Sequence, residues 1–264
     1  MKCAKKRANS SYPSDQTIHL LVITRRIVLI FQTETQPCAL PRSLTPTLPR
    51  IITLVNSTLS RHFPLVQHKF FLDGPAGQLE AAVSDPGGAR RGLALIAHPH
   101  SLHGGTMENK VVQTLAKAFA ELGYLAARVN FRGVGQSEGV YDEGLGETED
   151  MLALAEHMRR EAGELPVVLA GFSFGGHVQT RVAARLTAEK LVLVAPAVSS
   201  FATGTVAANS LVIHGEADEV VPLAAVLDWA RPQNLPLTVV PGVGHFFHGQ
   251  LTLLKRIVIE SCRC

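Results

Sequence analysis

The sequence predicts one α/β domain over residues 66–264, built on a mostly parallel sheet with helices on both faces. Two observations predict it. From Val66 onward, short apolar runs alternate with stretches of helical period. Those runs are apolar at nearly every position, as befits strands covered on both sides. In such sheets ligands bind beyond the carboxyl ends of the strands, so residues that carry chemistry are expected there.

The elements follow in chain order. Lys69–Leu72 and Leu79–Ser84 flank the turn-rich string Asp73-Gly74-Pro75-Ala76-Gly77, which reads as a hairpin. Gly92–His98 reads as a buried strand. Thr106 can cap a helix running through Lys110, Leu115 and Phe119 to Leu122, where Gly123 stops it. Tyr124–Asn130 is the next strand, followed by a helix over 146–162. The strand Pro166–Ala170 leads into a helix from Phe174 to Thr187. Lys190–Ala195 and Ser210–His214 are further strands, with a helix over Leu223–Ala230 after the second. Leu235–Val240 is the last strand, and Phe247, Leu251, Leu254 and Val258 form one stripe of a closing helix.

Residues 1–65 differ in texture. They are rich in Ser, Thr and Pro, show no sustained period, and hold nine Lys/Arg against Asp15 and Glu34, a net +7. The remaining residues carry a net −4, so the overall charge of +3 belongs to this segment and not to the globular part. A nucleic-acid-binding core has the opposite distribution. The segment reads as a poorly ordered basic extension, as an organelle transit peptide, or as translated leader before a downstream start. Its apolar stretch Ile18–Phe31 is split by Arg25 and Arg26 and is too short to span a membrane. Nor does it have the uninterrupted core and small-residue cleavage site of a secretory signal. Cys3, Cys38, Cys262 and Cys264 lie near the chain ends and form no disulfide framework, which suits a reducing, cytoplasmic setting.

Gly171-Phe172-Ser173-Phe174-Gly175 matches G-x-S-x-G between a strand and a helix. A sharp strand-to-helix turn presents the Ser hydroxyl at the sheet top, and glycines on either side avoid Cβ clashes in the strained turn. The N–H after the nucleophile then faces a developing oxyanion. Asp218 follows the strand ending at His214, and His245 lies five residues beyond Val240. Both therefore belong to loops at the same sheet edge as Ser173. The order Ser173, Asp218, His245 suits a triad in which His245 is the base and Asp218 orients it.

Bland readings compete with each assignment. Ser173 could be a helix N-cap only. Glu216 and Glu219 rival Asp218 but read as solvated loop charges, and His248 rivals His245 but falls within the closing helix pattern. His177, one turn into the nucleophile helix, reads as structural. His98, His100 and His103 form H-x-H-x-x-H, yet no acidic or Cys partner stands at a metal spacing. Gly133-Val134-Gly135 misses the dinucleotide fingerprint, and Gly171–Gly176 lacks a phosphate-loop Lys. Arg132 reads as part of a supporting turn with reach toward an anionic substrate. The chemistry needs no cofactor and no metal. The partners expected are a small-molecule acyl substrate and no nucleic acid, and the sequence leaves room for a homo-oligomer.

Residues 66–260 resemble the α/β-hydrolase superfamily, and more narrowly its small, capless bacterial members related to dienelactone hydrolases. The resemblance rests on Ala97-His98-Pro99-His100, Gly104–Lys110, Asn130-Phe131-Arg132-Gly133-Val134-Gly135-Gln136-Ser137-Glu138-Gly139 and His214-Gly215-Glu216-Ala217-Asp218-Glu219-Val220-Val221-Pro222. It implies the α/β-hydrolase fold, and an oxyanion hole formed by the backbone N–H groups of His100 and Phe174, with Ser101 a second candidate for His100. Residues 196–209, where a cap domain is usually inserted, are too few for one. An open cleft taking small or flexible esters, thioesters or amides is therefore expected.

Overall fold

The computed structural model describes residues 66–263, together with two three-residue strands before them, β1 (Leu21–Ile23) and β2 (Arg26–Val28), which pair antiparallel. The remainder of the basic segment, including most of Ile18–Phe31, lies outside the described residues, as do Cys3, Cys38 and Cys264.

The hairpin expected at the domain's start is β3 (Val66–Gly74) and β4 (Gly77–Asp85), in register across a two-residue turn at Pro75 and Ala76. Six parallel strands follow: β5 (Gly92–Ala97), β6 (Tyr124–Val129), β7 (Val167–Phe172), β8 (Lys190–Val194), β9 (Leu211–Gly215) and β10 (Leu237–Val240). The sheet order is β10-β9-β8-β7-β5-β6-β4-β3, with only the β4–β6 and β3–β4 pairings antiparallel.

Side chains leave each central strand in alternate directions, and both directions are buried. Leu93, Leu95, Leu169, Leu191 and Leu193 face one core, while Ala94, Ile96, Val168, Phe172, Val192 and Val194 face the other. That two-sided burial explains why the strands read as continuous apolar runs. The first core is covered by α2 (Leu145–Ala162), α3 (Phe174–Ala183) and α4 (Leu223–Ala230), through Met151, Val178 and Val226 among others. The second is covered by α1 (Lys110–Glu121) and α5 (Leu251–Cys262), which meet through residues such as Leu115, Phe119, Leu254 and Val258. Among the described residues, 195–210 contain no helix or strand, and no cap domain is inserted there.

Two expectations are corrected. The cap of α1 is Asn109, whose side chain accepts from the Val111 N–H at 2.9 Å. Thr106 instead caps a turn one step earlier, accepting from the Glu108 N–H. The closing helix begins at Leu251. Phe247 is buried in the same core but has a left-handed backbone, φ 53°, that ends any helix there.

Candidate active site

All six parallel strands point one way, so the loops after β5, β7, β9 and β10 meet at one edge. Ser173 stands at the turn between β7 and α3 with φ 55° and ψ −119°, a strained conformation for a non-glycine residue. The fold holds it there: its N–H donates to the Val194 carbonyl at 2.9 Å, and its own carbonyl accepts from Gly176 and Ala197. The flanking glycines are required by close backbone approach. A Cβ on Gly171 would overlap the Gly175 carbonyl, and one on Gly175 would overlap the Ala97 carbonyl at the end of β5.

The three residues singled out in the sequence come together here. His245 Nε2 lies 3.0 Å from Ser173 Oγ, and His245 Nδ1 lies 2.8 Å from Asp218 Oδ2. All three are buried. A carboxylate accepts, so Nδ1 carries the proton and Nε2 faces the serine hydroxyl as acceptor. Asp218 Oδ1 accepts from the N–H groups of Val220 and Val221 at 2.9 and 2.7 Å. Burial alone would raise the Asp218 carboxyl. The hydrogen bonds from His245, Val221 and Val220 outweigh it and hold the group below its ordinary value.

The loop after β5 is locked by groups that sequence reasoning assigned loosely. His98 is buried and uses both ring nitrogens: Nε2 accepts from the Phe131 N–H at 3.0 Å, and Nδ1–H donates to the Pro99 carbonyl at 2.6 Å. Burial holds it neutral, its pKa pushed down to about 4. His98 thus joins the ends of β5 and β6 as a structural cross-link. His100 Nδ1 accepts from the Leu102 N–H, which leaves Nε2–H to meet the Tyr141 hydroxyl at 3.2 Å. Gly105 folds back so tightly on the Pro99 and His100 carbonyls that a Cβ there has no room. Met107 is clamped on both backbone atoms, its N–H by Asn130 Oδ1 at 2.8 Å and its carbonyl by Arg128 Nη1 at 3.0 Å. Phe174 is the first residue of α3, where an N–H has no intrahelical partner. Among the described residues, neither the His100 nor the Phe174 N–H donates to another protein group.

Other assignments gain detail. The Arg132 guanidinium forms a two-pronged pair with fully buried Asp150, at 2.7 Å for the closest contact. Glu216 and Glu219 are not merely solvated. Glu216 accepts from the Gly242 N–H at 2.9 Å and Glu219 from the His245 N–H at 3.3 Å, tying the acid loop to the histidine loop. His248 lies in the turn before α5, exposed and beside Phe246, not within the helix. His177 is structural as expected: it is buried, stacked on Phe201, and lowered to about 4 by burial and then by Arg181.

Sequence reasoning missed His214. Its Nε2–H donates to the Val221 carbonyl at 2.9 Å and lies 3.6 Å from Asp218 Oδ2, so it braces the acid loop from beneath. Burial lowers its pKa and keeps it neutral. The signal was present, since a histidine at the end of an apolar strand is expected to be buried and to need a hydrogen-bond partner.

Above Ser173 the cleft has a volume of about 240 Å³, walled by Pro99, His100, Val220, His245 and Phe246. Two clefts of about 510 and 530 Å³ lie elsewhere, against α2, and hold none of the three residues. No helix among the described residues is long and apolar enough to cross a membrane.

Comparison with known proteins agrees with this architecture. Residues 97–208 match the family model described as serine aminopeptidase, S33. An α/β serine hydrolase homologue from Coxiella burnetii is 41% identical, with a TM-score of 0.70 over 74% of this chain and 97% of that one. An α/β serine hydrolase without a lid from Xanthomonas campestris is 40% identical, with a TM-score of 0.71 over 76% of this chain and 95% of that one. An uncharacterised protein of Rickettsia prowazekii is 28% identical over 203 residues, which is 68% of this chain and 82% of its own. The chain belongs to the lidless serine hydrolases of the α/β-hydrolase superfamily.

Proposed function

We propose that this hydrolase cleaves an ester, thioester or similar acyl bond through an acyl-serine intermediate, with Ser173 as nucleophile, His245 as base and Asp218 as the carboxylate that orients it. The observation that carries the reading is the unbroken hydrogen-bond chain from Ser173 Oγ through both nitrogens of His245 to Asp218. Ser173 Oγ attacks the acyl carbon while its proton passes to His245 Nε2. The carbonyl oxygen becomes an oxyanion facing the His100 and Phe174 N–H groups, two donors not committed within the protein. Asp218, kept ionised by its own N–H donors, stabilises the imidazolium. Collapse of the tetrahedral intermediate breaks the bond to the leaving group, which takes the proton from His245. A water molecule then gives its proton to His245, attacks the acyl-serine, and releases the acid with Ser173 restored.

The S33 family description gives the peptidase reading a specific footing, since the same groups cleave an amide when His245 protonates a leaving amine. A fluorophosphonate probe together with matched ester, thioester and amide substrates tests both. Labelling of the wild type at Ser173 and its loss in Ser173→Ala, with the fold unchanged by circular dichroism, is the expected outcome. Hydrolysis persisting in Ser173→Ala would mean that the nucleophile is another residue.

A further inference from the structure

The walls of the cleft bear on which acyl donors it takes. Besides Ser173 and His245, its lining holds Asn109 and the imidazoles of His100 and His103, but no Asp, Glu, Lys or Arg. Part of its rim is apolar and wet: Val220, 51% exposed, and Phe246, 39% exposed, line it with His245, and Leu102 in the neighbouring turn is 68% exposed. Phe246 stands edge-on to the His245 ring, with ring centroids 5.0 Å apart, and forms one wall of the cleft. Apolar side chains left this exposed around a reactive group mark the seat of an apolar ligand.

Charge in the surrounding loops points the same way. Residues 97–109, 171–176, 195–209, 215–222 and 241–250 contain no Lys or Arg. They contain Glu108, Glu216, Asp218 and Glu219. Glu108 is neutralised by Lys69 at 3.1 Å and Arg128 at 3.6 Å, which leaves three carboxylates in the acid loop unmatched by a cation. In the loop after β6, Arg132 is held by Asp150. Arg181 lines clefts that do not contain Ser173. The field at the mouth is therefore negative and repels anions. An anionic group entering the cleft would lose water and meet no Lys or Arg there.

We propose that the site selects small, uncharged acyl donors whose apolar part packs on Val220 and Phe246, and that it rejects donors carrying a carboxylate. This rests on the catalytic reading above. Size follows from the volume of about 240 Å³, below the usual range for drug-sized ligands.

The test compares kcat/KM for p-nitrophenyl butanoate and mono-p-nitrophenyl succinate, which share a leaving group and differ at the acyl end by a methyl or a carboxylate. The expected ratio is about tenfold or more in favour of the butanoate, which corresponds to about 1.4 kcal/mol of discrimination. Val220→Arg supplies the missing cation and is expected to shrink that ratio by raising the succinate rate. Equal or faster hydrolysis of the succinate by the wild type would overturn the proposal. Labelling rates with a plain alkyl fluorophosphonate and one bearing a terminal carboxylate give the same ratio where ester turnover is slow, and they verify the folding of Val220→Arg. Failure of both probes to label the wild type would instead remove the catalytic reading, and the proposal with it.

Discussion

Histidines around the site are used mostly as neutral hydrogen-bonding groups, which makes acid the natural stress on this molecule. His98 and His177 are held to about 4 by burial, against about 6.5 in an unfolded chain. Between those values the unfolded state binds protons that the native state refuses, so stability falls as pH falls through that window. For His98 alone the difference is on the order of 3 kcal/mol. Asp218 acts in the same direction lower down: its lowered carboxyl favours the native state above the ordinary Asp value and loses that advantage as it protonates. Urea midpoints measured from pH 7 to pH 4.5 are expected to fall steadily from about pH 6.5, and a flat profile would contradict the neutral assignment. At this scale the sequence was legible wherever a residue's partner lay in a motif. Ser173, Asp218 and His245 were placed by strand ends and loop positions. Arg132, Glu216 and His214 were read in part or missed because Asp150, the Gly242 N–H and the Val221 carbonyl are chosen by the folded chain, at separations that no local pattern encodes.

Element boundaries depend on which of several competent residues wins. Thr106 is the cap that the sequence suggests, but Asn109, equally able to cap, takes that place. Arg128 of β6 and Asn130 just beyond it hold Met107, and this fixes the loop so that the helix starts after Asn109. Phe247 likewise keeps its place in the apolar stripe, but its left-handed backbone excludes it from α5. The turn at Ser173 was readable because its glycines answer to a local need. Gly175→Ala would drive a Cβ into the Ala97 and His98 carbonyls, backbone atoms with no freedom to step aside. It is expected to destabilise the domain by about 1–3 kcal/mol and to abolish fluorophosphonate labelling. Gly88→Ala, with nothing within 4 Å of the new atom, is expected to change neither. Full labelling of Gly175→Ala would show that the elbow tolerates displacement.

On the scale of the whole molecule, the architecture was legible because one physical requirement recurs along the chain: each central strand must be apolar on both faces and each helix on one. That pattern stops at Val66, where the texture of the sequence changes and the described hairpin begins. The two lidless serine hydrolases are matched over 97% and 95% of their own lengths by only 74% and 76% of this chain. The sheet from β3 to β10, both cores and all the proposed catalytic groups lie within residues 66–263. A unit with its own sheet, cores and site has the parts needed to fold alone. The fragment 66–264 is therefore expected to express as a soluble protein with thermal stability, labelling rate and kcat/KM matching the full chain. The net charge of +7 in residues 1–65 would then act on solubility or association and not on turnover. A fragment that folds but loses hydrolysis would assign the basic segment a part in the site, and one that fails to fold would make it part of the domain.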